Sequence, residues 1–207
     1  MICFDAQDDA HIGYINVNAS EMGMSNNTIV LPDVEIEFRN VYFQAGSNVQ
    51  FSKTLTIATD YKYQDSDSVF VLEPSSERGK LWPEYATLKS SAMDANLVID
   101  VAPSDQLYAT NNYEVLAKTS IAGDIIINDS PRIKFCDDVQ VRNIISNAPY
   151  ATLVVEGNLK ATGDVKLFDE ADADIDPGQH AFFYAYGGDV EIAGDFWVDF
   201  VSSSPMG

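Results

Sequence analysis

The densest set of possible ligands in the chain is DEADADIDPG (169–178). Asp172, Asp174 and Asp176 repeat at the one-three-five spacing with which Ca²⁺ loops present oxygen ligands, and a glycine follows. Gly178 falls one place late for an EF-hand, Pro177 intervenes, and no Glu stands at the twelfth position. The same residues therefore read either as a Ca²⁺ site or as a solvated acidic turn. Asp65 and Asp67 in YQDSDS are a weaker version of that pattern. Trp82 and Tyr85 lie in an irregular stretch near Arg78 and Lys80. Rings on such a segment can stack on a sugar or anchor a partner; folding back onto the scaffold is the alternative.

Catalytic chemistry has few handholds. The only histidines are His11 and His180, and no GxSxG, HExxH, P-loop or dinucleotide fingerprint is present. His180 beside Asp176 could serve as a base. A polysaccharide lyase or hydrolase would need carboxylates along a groove with Arg or Lys nearby, and Asp137, Asp138, Asp164 and Arg142 are the candidates. With 32 acidic residues in 207, however, paired carboxylates arise readily without a reaction to run. Cys3 and Cys136 either form one disulfide or are two small buried hydrophobes.

The 32 Asp and Glu against 12 Lys and Arg give a net charge of −20. That argues against nucleic acid and anionic membranes as partners, since both recruit clustered cations. It favours divalent cations and a hydrated surface. At 46% hydrophobic residues the chain can bury a core, and no apolar run approaches the ~20 residues of a membrane span. The opening MICFDAQDDAHIG has neither the basic nor the apolar region of a signal peptide.

What must position these residues is written as alternation. Leu153, Val155, Gly157, Leu159, Ala161, Gly163, Val165 and Leu167 share one parity, with Glu156, Asn158, Lys160, Asp164 and Lys166 on the other. Even positions from Phe182 to Phe200 are all apolar or Gly. Similar runs are Ile121 to Val141 and Val41 to Ile57. Period-two patterning means half-buried strands. Nineteen residues in one straight strand would span roughly 60 Å, so the chain must bend. Two-residue hairpins at Gly157-Asn158 and Gly163-Asp164 would mix the faces, because positions i and i+3 then oppose each other. Corners that keep parity are expected instead, with Gly tolerating positive φ and the following Asn or Asp bonding the backbone of its own bend.

GNLKATGDVKL (157–167) aligns with GDVEIAGDFWV (188–198) at an offset of 31, and AGDIII (122–127) precedes the first by 34. Repetition at this period predicts an all-β, single-domain parallel β-solenoid; an antiparallel β-sandwich is the alternative. Residues 1–27 read as an N-terminal cap or edge segment, 28–201 as the solenoid with a loop excursion at 61–95 and a helical turn at 85–89, and 202–207 as a tail. The tail, VSSSPMG, supplies no polar cap, so an open end would pair with another chain or continue into a longer protein.

The runs AGDIIIN, VVEGNLKATGDVKLF and YGGDVEIAGDFWVDF resemble the β-helical repeats of large secreted bacterial adhesins of the filamentous haemagglutinin type, and are similar to bactofilin-like polymerising solenoids. The resemblance implies a right-handed β-helix with an adhesive or structural role and carries over no catalytic residue. The expectation is thus a non-enzymatic extracellular or cell-surface scaffold, self-associating or adhesive, stabilised by Ca²⁺ and possessing a surface glycan or a neighbouring copy as partner. Its rivals are a carbohydrate-active enzyme on the same fold and a β-sandwich carbohydrate-binding module.

Overall fold

Alternating side chains let each short strand set one face against a shared interior, and the strands are too short for any of them to enclose that interior alone. The computed structural model describes residues 2–3, 10–12, 16–17, 27–39, 42–43, 47–59, 80–82, 87–101, 112–128, 132–146, 152–167, 181–198 and 200–203. The strands come in triplets, here called tiers. The first four tiers are β1 (Ile2–Cys3), β2 (Ala10–Ile12), β3 (Asn16–Val17); β4 (Asn27–Val30), β5 (Ile36–Arg39), β6 (Tyr42–Phe43); β7 (Ser47–Phe51), β8 (Leu55–Thr59), β9 (Lys80–Trp82); and β10 (Thr87–Ser90), β11 (Leu97–Val101), β12 (Asn112–Val115). The last four are β13 (Lys118–Ser120), β14 (Ile125–Asn128), β15 (Arg132–Phe135); β16 (Val139–Val141), β17 (Ile144–Ser146), β18 (Thr152–Val155); β19 (Leu159–Ala161), β20 (Val165–Lys166), β21 (Phe182–Ala185); and β22 (Val190–Ile192), β23 (Phe196–Trp197), β24 (Phe200–Ser203).

Each strand pairs with the strand three places on. The first sheet runs β1-β4-β7-β10-β13-β16-β19-β22 and the second β2-β5-β8-β11-β14-β17-β20-β23. The third side holds the β3-β6 pair and the six strands from β9 to β24. Every pairing among the described residues is parallel, and no helix occurs among them. This is the arrangement of a parallel β-solenoid. It overturns the antiparallel sandwich and with it the sandwich form of a carbohydrate-binding module, since hairpins would have paired consecutive strands.

All three sides contribute to one hydrophobic core. In the second sheet Ile36, Leu55, Leu97, Ile125, Ile144 and Val165 stack in register, and in the first Ile29, Val49, Leu88, Thr119, Val139 and Leu159 do so. Ile133, Leu153 and Phe183 form the corresponding row of the third. Buried polar atoms are partnered: Ser90 Oγ accepts from Ala122 N at 2.8 Å, and Thr119 Oγ1 donates to the Ala117 carbonyl at 3.0 Å. Leu159 and Val165, on either side of Gly163, face the same core from different sheets, so parity survives that corner.

Buried positions change parity at several corners, Val141 to Ile144 among them, and one change falls inside a run expected to be uniform. Ala181, just before β21, and Phe183 within it are buried, so Phe182 and Tyr184 take the outer face, contrary to the uniform even parity expected for 182–200. Val155 pairs with Ala185 but Leu159 with Val190, which leaves one extra residue at the corner. Gly187 is that residue, because Gly188 stacks on Gly157. The sequence AFFYAY is apolar on both faces and could not reveal the switch.

The stacking step is shorter than the repeat read from sequence. Thr119, Val139 and Leu159 lie twenty residues apart, and the step of 31 to Val190 contains the long connection 167–181. The offset of 31 therefore matches true neighbours, whereas the offset of 34 compares different corners: Gly123 precedes β14 and Gly157 precedes β19. Residues 61–95 are also less of an excursion than expected, since Lys80–Trp82 and Thr87–Ser90 are strands of the stack. Leu88 is buried and replaces the helical turn expected at 85–89; one inward leucine between Thr87 and Lys89 suits a strand. The three longest connections, 60–79, 102–111 and 167–181, all lead from the second sheet to the third, and from β4 onward every other connection has six residues or fewer.

Glycine serves a different purpose from the one expected. None of Gly123, Gly157, Gly163, Gly187, Gly188 and Gly194 adopts the left-handed conformation. Their role is close approach between tiers: a Cβ on Gly157 would lie 2.5 Å from the backbone C of Asp137 and the N of Asp138. Backbone does not yield as a side-chain tip does. Gly157→Ala is expected to lower stability by about 2–3 kcal/mol in urea unfolding, the upper range for overpacking.

Candidate functional site

The polar residues singled out from sequence gather at two of the three corners, where they bind one tier to the next. Between the first and second sheets, Asn96, Asp124, Asn143, Asp164 and Asp195 each stand immediately before a strand. Asn96 Oδ1 accepts from Asp124 N at 2.9 Å, Asn143 Oδ1 from Asp164 N at 2.7 Å, and Asp164 Oδ1 from Asp195 N at 2.9 Å. The remaining rung is a side-chain bond, Asn143 Nδ2 donating to Asp124 Oδ1 at 2.8 Å. The bonds therefore cross to the next tier rather than closing the residue's own bend as expected.

Arg142 closes this ladder from the side. Its Nε and Nη2 each donate to Asp124 at 2.7 Å, a two-pronged pair that holds the guanidinium pKa above its usual value through hydrogen bonding and charge. Lys166 lies 2.8 Å from Asp164, and its bond, followed by the one from Asp195 N, holds the Asp164 carboxyl below the usual carboxylate range.

The second ladder runs between the third and first sheets. Asp138 Oδ1 accepts from Asn158 N at 3.0 Å and Nδ2 at 2.9 Å, and Asn158 Oδ1 accepts from Asp189 N at 2.9 Å. Lys118 Nζ donates to Asp138 Oδ2 at 2.7 Å; this bond, then the Asn158 backbone N–H, lowers the Asp138 pKa. Asp137 accepts from Asp138 N at 2.6 Å. Asp137 and Asp138 thus sit at one corner and Asp164 and Arg142 at another, each already engaged, so the four do not assemble as one acid–base set.

On the third side, Lys134 Nζ lies 2.7 Å from Glu156 and 3.3 Å from Glu114. Burial pulls the Lys134 pKa down, but the Glu156 hydrogen bond and neighbouring negative groups outweigh it and the net shift is upward. Burial pushes the adjacent Cys136 thiol up to about 12, against the pull of Lys134. Cys136 is free and half-buried, a poor nucleophile at neutral pH. Cys3 lies in β1, four tiers away, which is about 19 Å at the usual strand spacing and beyond disulfide reach. The disulfide alternative is therefore removed.

Asp172, Asp174, Asp176, His180, Asp65, Asp67 and Tyr85 lie outside the described residues. Trp82 ends strand β9, paired with Val115, rather than lying on a loop; its side chain and that of His11 in β2 are outside the description. Among the described residues no group of three or more His, Cys, Asp or Glu is placed to hold a metal ion. No helix among the described residues is long and apolar enough to cross a membrane. Sequence reasoning missed Asn96 and Asn143, which lack a preceding Gly; the signal was an Asn or Asp placed directly before an apolar-alternating triplet. No protein-family model, curated protein or solved structure matches the chain.

Two outcomes follow from these ladders. Asn143→Ala removes a donor to one tier and an acceptor to another, and is expected to cost about 1–2 kcal/mol in chemical unfolding. Asp138 and Asp164 have carboxyl pKa values lowered in the folded state, so their stabilisation is complete above the unfolded carboxylate range near pH 4 and is lost as pH falls through the lower folded values. The melting temperature should drop on acidification below about pH 4. The drop should be shallower in a Lys118→Met/Lys166→Met double variant.

Proposed function

We propose that this chain is a non-enzymatic structural or adhesive scaffold of the extracellular space or cell surface, built as a single right-handed β-helix with closed coils. The observation that carries the reading is the division of the corners. Two carry side-chain ladders, while the three longest connections all join the second sheet to the third. In repeat architectures, insertions gathered on one edge commonly form the recognition face over an otherwise constant core. DEADADIDPG and YQDSDS both belong to connections of that edge, and Trp82 follows the longest of them. A surface glycan and Ca²⁺ held by Asp172, Asp174 and Asp176 belong to this reading as partner and cofactor. The likeness of the Gly-Asp and Gly-Asn runs to secreted adhesin repeats points the same way.

The test is a screen of the purified chain against acidic and neutral polysaccharides, scoring binding, released reducing sugar and unsaturated product. Binding without turnover is expected, with earlier melting in EDTA. Turnover abolished by a single substitution at Asp138 or Asp164 would replace the scaffold by a polysaccharide lyase or hydrolase. An EDTA-insensitive melting temperature would remove the Ca²⁺ component alone.

A further inference from the structure

One face of the stack repeats, without partners, the groups that join its tiers internally. Along the second sheet, the residue opening each strand donates its backbone N–H to the next tier's corner carbonyl: Leu55 to Asn96, Leu97 to Asp124, Ile125 to Asn143, Ile144 to Asp164 and Val165 to Asp195, at 2.8–2.9 Å. Along the first, Thr119, Val139 and Leu159 donate to Asp138, Asn158 and Asp189 at 2.7–2.9 Å. Phe196 and Val190 hold these positions in the last tier, and among the described residues their N–H groups have no acceptor. Nor do the carboxylates of Asp195 and Asp189, the last members of the two ladders, have a hydrogen-bond partner there. The core rows of both sheets, buried below, end in Phe196 at 39% and Val190 at 41% exposure, with Trp197 beside them at 38%.

We infer that this face binds the opposite end of a second copy of the chain, continuing the parallel sheets across the junction. The unmet groups specify the occupant. They call for a tier with the same three-sided layout, strands parallel to β22, β23 and β24, and backbone carbonyls at the same corners. β1, β2 and β3 are the outer strands of those three sides at the other end. Tier-on-tier packing inside the chain supplies the pattern for such a junction. Because the two faces differ, the contact is head-to-tail and propagates into a linear assembly rather than closing as a dimer. The net charge of −20 opposes approach, so screening by salt strengthens association. This inference deepens the scaffold reading and rests on it.

Sedimentation velocity and negative-stain imaging of the full chain test it, from about 1 µM to about 1 mM and at low and high salt. Val190→Lys puts a charge on the exposed edge. Val190→Pro deletes an N–H on the open side, since the bonds of this strand to its inner neighbour use Asp189 O and Ala193 N. Both variants should keep the wild-type circular dichroism and melting curve, which separates a blocked edge from a failure to fold. The expected result is linear oligomers that lengthen with concentration and salt, weakened about tenfold or more by each variant, and shortened when the variant is mixed with wild type as a chain stopper. Wild type that stays monomeric throughout, or oligomers indifferent to both substitutions, overturns the inference. Monomers without polysaccharide turnover remove the junction and leave the scaffold reading; assembly accompanied by turnover removes the scaffold reading and leaves the junction.

Discussion

Close approach between successive tiers is the constraint on which the rest of this structure depends. Parallel strands stack about 4.8 Å apart, and the corners must keep that spacing as well as the strands. Backbone bonds carry part of that load at the corner between the first and second sheets, where Arg142 N donates to Gly123 O, Gly163 N to Arg142 O and Gly194 N to Gly163 O. Side chains supply further bonds, and little can stand between the backbones. At Gly123, Gly157 and Gly163 the chain answers with two residues in sequence: a glycine that lets backbone meet backbone, as Gly157 does over Asp137, and an Asn or Asp whose side chain bonds an adjacent tier. The glycine is selected by contact across tiers, not by a left-handed backbone.

Making fasteners from acidic residues brings an electrostatic cost, and the order of residues in the first ladder offsets it. Asn96, Asp124, Asn143 and Asp164 alternate neutral with charged, so no two carboxylates are adjacent until Asp164 meets Asp195. Asp124 is matched by Arg142 and Asp164 by Lys166. The second ladder follows the same rule, with Asn158 between Asp138 and Asp189 and with Lys118 on Asp138. In a chain with 12 Lys and Arg, three cations are placed at ladder carboxylates. A carboxylate that already accepts a backbone N–H and faces a cation is poorly placed to act as a general acid. Asp138, Asp164 and Arg142 are in this way engaged in holding tiers together.

The fold was legible because two long runs of its core keep one parity through their corners. Leu153 through Leu167, and Ile121 through Val141, place their alternate apolar residues inside, and that pattern excludes hairpins before any strand is paired. Three features were not legible. The twenty-residue step was hidden by the long connection before β21, which lengthened the visible repeat to 31. The parity switch at Gly187 was masked by a segment apolar on both faces. Asn96 and Asn143 carried no local mark, because the atoms they bond belong to residues 28 and 21 positions away in sequence. Local patterning records which way a residue faces; it does not record which tier that residue will meet.

The three corners divide their labour along lines the energetics would predict. A connection free to lengthen must not carry the bonds that hold the tiers, since an insertion there would move a corner acceptor away from its donor. From β4 onward the two ladder corners stay at six residues or fewer, and even the single added residue at Gly187 is a glycine that preserves the Asn158–Asp189 rung. The third corner, where the second sheet gives way to the third, holds the three longest connections. Loop lengthening is thermodynamically mild when the ends of the loop are fixed by neighbouring strands. From β4 onward, the added length of the chain is thereby gathered at one edge, away from the two ladders.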